Sequence, residues 1–256
     1  MPLGLDVFVN RYVLTGQLET CTALHIGSGA AESLDPRRPD GGVVVDSGSG
    51  LPYVPGSSLK GACRGWLRRV VRARDPGRAC ADDCGAGGLE SLCPVCRLFG
   101  SPSFGGRIFF ADAPVLSMKR PALETRAHVR LDPDLGVRLQ GGLFDMEVVP
   151  PGHRFSVEWY ADNVDEEDLQ HLHLLRAAME EGMISLGGAA SRGLGRVRLR
   201  DADETMEDLE TLSRLIAEPA SVPRARLMEA LGRERGDRIT MEQLRQAYDR
   251  AAEAVP

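Results

Sequence analysis

The chain has no apolar run approaching the about 18 residues that a membrane-spanning helix needs, which removes a helical membrane protein from consideration. Residues 1–12 carry charge and no extended apolar segment, so no secretory signal is expected and the reading is a soluble, cytoplasmic chain. Aromatic residues are scarce, at 5% with two Trp. The five histidines, at 25, 128, 153, 171 and 173, show no metal-ligand spacing, and His171 and His173 read as a helix surface. No fixed-period repeat is visible. An excess of positive charge is also missing: 31 basic against 37 acidic residues give −6, which excludes nucleic-acid binding by bulk charge alone and leaves local patches open.

What is present is ordinary globular material. The 256 residues make one large domain or two small ones, with apolar and charged fractions of 43% and 27%. The acidity is uneven. Residues 201–256 hold 13 acidic and 8 basic side chains, a net of −5, leaving residues 1–200 at −1. By contrast residues 58–78 hold seven basic side chains and one acid. The 29 glycines fall in separate clusters, which predicts several loops that expose backbone.

Residues 6–26 read as one or two strands, and Val43-Val44-Val45 as a short buried strand ending at Asp46. Pro55-Gly56-Ser57-Ser58 opens a helix with a Ser as N-cap, and Leu59, Cys63, Leu67 and Val71 follow its inner face. Lys60, Arg64, Arg68 and Arg72 recur every four residues on the other side. Residues 107–116 read as a strand, 120–147 as a long polar excursion or hairpin, and 154–161 as a strand with Phe155, Val157 and Trp159 on one face. Residues 165–183 form a helix with Met179 or Met183 inward, and 196–199 a closing strand. The order strand, helix, strand, strand, helix, strand predicts an α+β, ferredoxin-like βαββαβ core over residues 1–200. Residues 201–256 read as an acidic extension of two or three helices, the first over 206–216.

Four constellations stand out. Cys80-x3-Cys84-x8-Cys93-x2-Cys96 supplies two close thiol pairs, suited to one structural zinc that leaves no open position; incidental pairs or a redox dithiol are the alternatives. The basic helix suits phosphates, with backbone amides at its start and Lys60 and Arg64 one turn apart; the alternative is a solvated amphipathic helix. Residues 186–195 form a Gly-rich loop whose glycines admit a ligand closely and whose Arg192 suits a phosphate, or simply a tight strand connection. Asp35, Asp40 and Asp46 surround a polar loop that suits a divalent metal or a proton, or is ordinary loop polarity.

Leu24-His25-Ile26-Gly27-Ser28-Gly29, Leu51-Pro-Tyr-Val-Pro55-Gly56-Ser57-Ser58-Leu59-Lys60-Gly61, Phe104-Gly-Gly-Arg-Ile-Phe-Phe-Ala-Asp112-Ala113 and Leu186-Gly-Gly-Ala-Ala-Ser-Arg-Gly-Leu-Gly-Arg196-Val197 stand in that order. Together they resemble the RAMP superfamily, specifically the repeating backbone subunit of type III CRISPR-Cas effector complexes, over about residues 6–200.

The resemblance implies a modified RNA-recognition-motif fold that polymerises along a guide RNA. Its partners would be guide RNA, complementary target RNA, copies of itself or related backbone subunits, and other type III effector subunits, with no membrane. It puts His25, Ser57, Ser58, Lys60, Arg64, Arg68, Ser191 and Arg192 on the guide backbone. It makes 120–147 a thumb that wedges into the guide–target duplex, carrying Arg126, His128, Arg130, Phe144 and Met146, with Leu143 beside them. It puts target cleavage on Asp40, ahead of Asp46 and Asp35, with Mg2+ or Mn2+ as the ion. Gly41-Gly42 stands where the family often has Ser-Pro. A catalytically silent scaffold and an endoribonuclease that processes precursor CRISPR RNA are the alternatives.

Overall fold

A computed structural model describes residues 8–27, 42–85, 89–116, 123–132 and 134–208. The chain divides into two compact units, Met1–Met206 and Glu207–Pro256. The elements are β1 (Asn10–Thr20), β2 (Tyr53–Val54), α1 (Gly56–Arg74), α2 (Pro94–Phe99), β3 (Ile108–Phe110), β4 (Ala113–Pro114), β5 (Glu124–Leu131), β6 (Arg138–Val148), β7 (Arg154–Asp162), α3 (Glu166–Glu180) and β8 (Val197–Asp208). The fold is mixed α and β, with antiparallel pairing and few helices. No described helix is long and apolar enough to cross a membrane.

The main sheet has the order β3-β7-β1-β8. Its two central strands carry the core through strict alternation. Tyr12, Leu14, Leu18 and Thr20 of β1 are buried, as are Phe155, Val157, Trp159 and Ala161 of β7, and Leu14 pairs with Trp159. One face of each long helix closes over them: Leu59, Cys63, Leu67 and Val71 from α1, and Leu172, Leu175 and Met179 from α3. Burial pushes the Cys63 thiol up to about 12, so it packs as an apolar group. A capping box at Asp165 and Asp168 starts α3. β2 pairs with β4, and β5 with β6 forms a long hairpin.

Three local expectations change, and one alternative is settled. The start of α1 has Pro55 as its cap residue and no side-chain cap. Its first amide, Gly56 N–H, instead donates to Asp112 Oδ1 at 2.7 Å, a carboxylate 56 residues away. Gly56 is needed there, since a Cβ would lie 2.2 Å from the Phe110 carbonyl oxygen. Met179 alone turns inward, and Met183 is exposed. Residues 43–45 make isolated bridges, Gly27 with Val43 and Val45 with Pro52, with Val45 exposed. The last strand does not stop at 199. It runs to Asp208, through residues read as the start of the helical extension, with Glu204 accepting from Tyr12 Oη at 2.6 Å and paired with Arg176 at 2.8 Å. The remainder of that extension, 209–256, lies outside the described residues.

Candidate functional site

Beyond β1 the chain runs between two other segments, held on each side by backbone hydrogen bonds. Leu24 exchanges a pair with Val149, at 2.9 and 2.8 Å, beside the end of β6. On the other side Gly195 N–H donates to the Ala23 carbonyl at 2.8 Å, and Gly188 N–H to the His25 carbonyl at 2.9 Å. Ala23, Met146, Val148 and Leu194 fill the space between as a small buried cluster, with Phe144 and Ala189 packed on it. Gly187 makes this approach possible. Its φ is +73°, and a Cβ there would lie 2.1 Å from the His25 carbonyl oxygen. The Gly-rich loop therefore clamps His25 as well as connecting two strands. Ser191 and Arg192 are exposed on the short turn of this loop.

Glu147 of β6 organises the other side of His25. Its carbonyl lies 2.7 Å from His25 Nδ1, and its carboxylate accepts from Val43 N–H at 3.1 Å. Val44 N–H donates to the Ile26 carbonyl at 2.9 Å. The described residues that flank 28–41 are thus fastened together beside His25. Asp35 and Asp40 lie outside the described residues; Asp40 stands three positions before Val43. The carboxylate of Asp46 is committed to a turn, accepting from Ser49 N–H and Ser49 Oγ, both at 2.8 Å. Those bonds hold its pKa below the usual carboxylate value.

The basic face of α1 is placed differently from the expectation. Ser57 is exposed and Ser58 half-buried. Lys60 Nζ donates to the Ile108 carbonyl at 3.2 Å, and burial, with Arg64 beside it, lowers its pKa. Arg64 and Arg68 both turn toward the loop between Cys80 and Cys84: Arg64 pairs with Asp83, Arg68 lies 3.9 Å from Asp83, and Arg68 Nη1 donates to the Ala81 carbonyl at 3.4 Å. Asp83, Asp112 and Glu147 were all missed in the sequence. Only Asp112 had a signal there, as part of the third motif.

The four cysteines meet. The sulfurs of Cys80, Cys84, Cys93 and Cys96 lie within 4.8 Å of one another. Cys80 Sγ is 3.4 Å from Cys96 Sγ and 3.6 Å from Cys93 Sγ. Zn–S bonds of about 2.3 Å in a tetrahedron set sulfurs about 3.8 Å apart, so the donor set fits zinc. Burial and the neighbouring thiols push Cys80 up; Cys93 is brought down to about 7 because hydrogen bonds to it outweigh its burial. The knuckle is pinned to α3 on its far side. Arg97 of α2 reaches Asp165, Glu167 and Asp168 at 3.3, 3.0 and 3.2 Å, and Arg107 meets Asp168 at 2.5 Å. Arg107 is 2% and Asp168 0% exposed. Burial drives each toward its neutral form and the partner's charge opposes it. The short contact, with Arg97 adding a second positive charge, is that of an ionised pair.

The hairpin carries the predicted excursion from Glu124 to Val148, with Arg126 opposite Met146 and His128 opposite Phe144, their rings stacked at 5.3 Å. Met146 is buried at the base, so it is no wedge. Among the described residues, the apolar side chains of the hairpin offered to solvent are Val129, Leu135, Val137 and Leu143, with Leu135 74% exposed. Arg126 is exposed near Glu124. Arg130 lies on β5 by its backbone, and its side chain is outside the described residues.

A model of the RAMP superfamily matches residues 17–198. Proteins named "CRISPR system Cms endoribonuclease Csm3" are similar to the chain. The one from Methanocaldococcus jannaschii is 30% identical over 208 residues, covering 75% of this chain and 79% of its own length. That from Methanothermobacter thermautotrophicus is 24% identical, covering 80% and 96%. That from Enterococcus italicus is 27% identical, covering 72% and 87%.

Proposed function

The chain belongs to the RAMP superfamily, and on that footing we propose that it is the repeating backbone subunit of a type III CRISPR effector complex, binding guide RNA and cutting complementary target RNA. The observation that carries this reading is the convergence on His25. The Gly-rich loop, the base of the hairpin and the described residues that flank the segment 28–41 are held together by backbone hydrogen bonds and the Glu147 carboxylate. The names of the similar proteins, which specify a CRISPR endoribonuclease, support the activity. The strand order β3-β7-β1-β8, with α1 and α3 as the two crossover helices, supports a modified RNA-recognition-motif core. Other backbone subunits and effector proteins would be its protein partners, and the segment 201–256 beyond the core would be an extension for such contacts.

The mechanism uses groups of this chain. Exposed Ser191 and Arg192 hold guide phosphates beside a loop whose glycines admit the backbone closely. The hairpin, with Leu143 and its neighbours exposed, enters the guide–target duplex and splays one target nucleotide. The 2′-OH of that nucleotide then lines up with its own phosphate, and orientation of this kind lowers a barrier by several kcal/mol, on the order of 7 or more at best. Asp40 is the residue assigned to the reacting site. Toward magnesium or manganese it rests on the resemblance alone, since among the described residues no carboxylates gather into a site for such an ion. Zinc would belong to the knuckle, where the four cysteines would hold it as a cross-link between the loop that follows α1 and the start of α2.

The test is the assembled complex carrying Asp40→Ala. Guide RNA should be retained and the regularly spaced cuts in target RNA lost. Cuts persisting at every regular position would remove Asp40 from catalysis. A wild-type complex that binds target but never cuts it with magnesium or manganese present would make the subunit a scaffold.

A further inference from the structure

The four sulfurs of the knuckle are not solvated alike. Cys93 N–H donates to Cys84 Sγ at 3.2 Å, and Cys96 N–H to Cys93 Sγ at 3.4 Å. Cys96 Sγ, fully buried, instead faces a cation: Arg64 Nη2 lies 3.7 Å from it. The same guanidinium is paired with Asp83, in the loop between the first two cysteines. Arg64 therefore touches both halves of the knuckle, from a helix that contributes no ligand. Arg68, one turn on, tightens the same loop through the Ala81 carbonyl.

Four thiolates around one divalent ion leave negative charge in excess, and a buried excess charge is costly without a partner. Backbone amides relieve Cys84 and Cys93. We infer that Arg64 is the cation that stabilises the metal-bound thiolates, donating to Cys96 Sγ while Asp83 holds its guanidinium in position, so that α1 is part of the metal site. This rests on the reading of the four cysteines as a zinc site. It also gives Arg64 a task other than the guide-phosphate contact that the resemblance assigns to it. A single nitrogen, Arg64 Nη2, contacts both the sulfur and the Asp83 carboxylate, and its two hydrogens allow it to donate to each.

The experiment uses the purified full chain, with zinc measured by metal analysis and its release followed with a colour-forming chelator. Wild type should hold one zinc per chain. Arg64→Ala should lose affinity by about 10- to 100-fold, the range for removing a group hydrogen-bonded to a metal ligand, and Arg64→Lys should recover part of it. Arg68→Ala, which touches the loop and no sulfur, should change release much less. Cobalt substituted for zinc supplies a readout that general destabilisation does not move. Removing the donor to Cys96 should shift the thiolate-to-cobalt charge-transfer bands in Arg64→Ala and Arg64→Gln while Arg68→Ala keeps the wild-type spectrum. If Arg64→Ala does not fold, Arg64→Gln and Arg64→Lys carry the same measurements. Zinc held as tightly as in wild type, with an unshifted cobalt spectrum, would overturn the inference and leave the zinc site standing. A wild-type chain that takes up no zinc would overturn the zinc site itself.

Discussion

Two regions of this molecule use charge in opposite ways. Around the knuckle, charged side chains are dense and spent on one another: Arg64 and Arg68 on Asp83, Arg97 and Arg107 on the acidic start of α3. Around His25 charge is sparse, and the segments are fastened by backbone amides, carbonyls, the single Glu147 carboxylate and one small apolar cluster. That leaves exposed Ser191 and Arg192 outside the internal network. Within the richest run of basic residues, Arg64 and Arg68 are therefore already engaged, while Arg69, Arg72 and Arg74 stay exposed. A basic stripe counts toward nucleic-acid binding only after its acidic partners elsewhere in the chain have been subtracted.

The strongest way to break this contrast is at Asp168. If the knuckle charges are internal structure, Asp168→Ala leaves Arg107 buried without its partner and removes half of the α3 capping box. Losing one side of a buried pair costs about 4 kcal/mol, to be measured by urea denaturation. A loss under about 1 kcal/mol would mean that these ion pairs are surface decoration. Next in size is Gly187→Ala in the other region. The added methyl meets the His25 carbonyl at 2.1 Å and the backbone is held at positive φ, for a cost of about 3 kcal/mol. Guide RNA affinity should fall with it, because His25 and the loop part together. Unchanged stability would mean that the clamp is loose and the contrast false.

The legible parts of the chain are those where burial follows a period. β1 and β7 alternate, and α1 and α3 repeat apolar residues at helical spacing, so their existence and order could be read directly. The cysteine cluster was legible because ligand chemistry constrains spacing. The extension of β8 was not. Asp, Glu and Ala have weak strand preference, and what holds that segment is pairing beside β1 and the Glu204 contacts to Tyr12 and Arg176. The start of α1 was misread because its acceptor is Asp112, 56 positions distant, and no local pattern announces it. At the site, His25 and the Gly-rich loop could be named separately, but their junction runs through carbonyl oxygens, which every residue carries. Arg64 and Arg68 read as free cations because Asp83 looked like one more polar loop residue.

The smallest effect is also the most discriminating. Each phosphate neutralised on a single strand contributes about −0.7 to the slope of log K against log salt. Arg192→Ala should flatten the slope for guide RNA by about that amount and leave thermal stability unchanged, since its side chain is exposed on the Ala190–Arg192 turn. Arg68→Ala should do the reverse: its guanidinium is engaged with Ala81 and Asp83, so the slope stays and the loop loosens. Measuring both variants at several salt concentrations separates a cation that meets RNA from one that the protein has already used. Flattening in Arg68→Ala with none in Arg192→Ala would exchange the roles of the two regions, and the guide would then lie along α1.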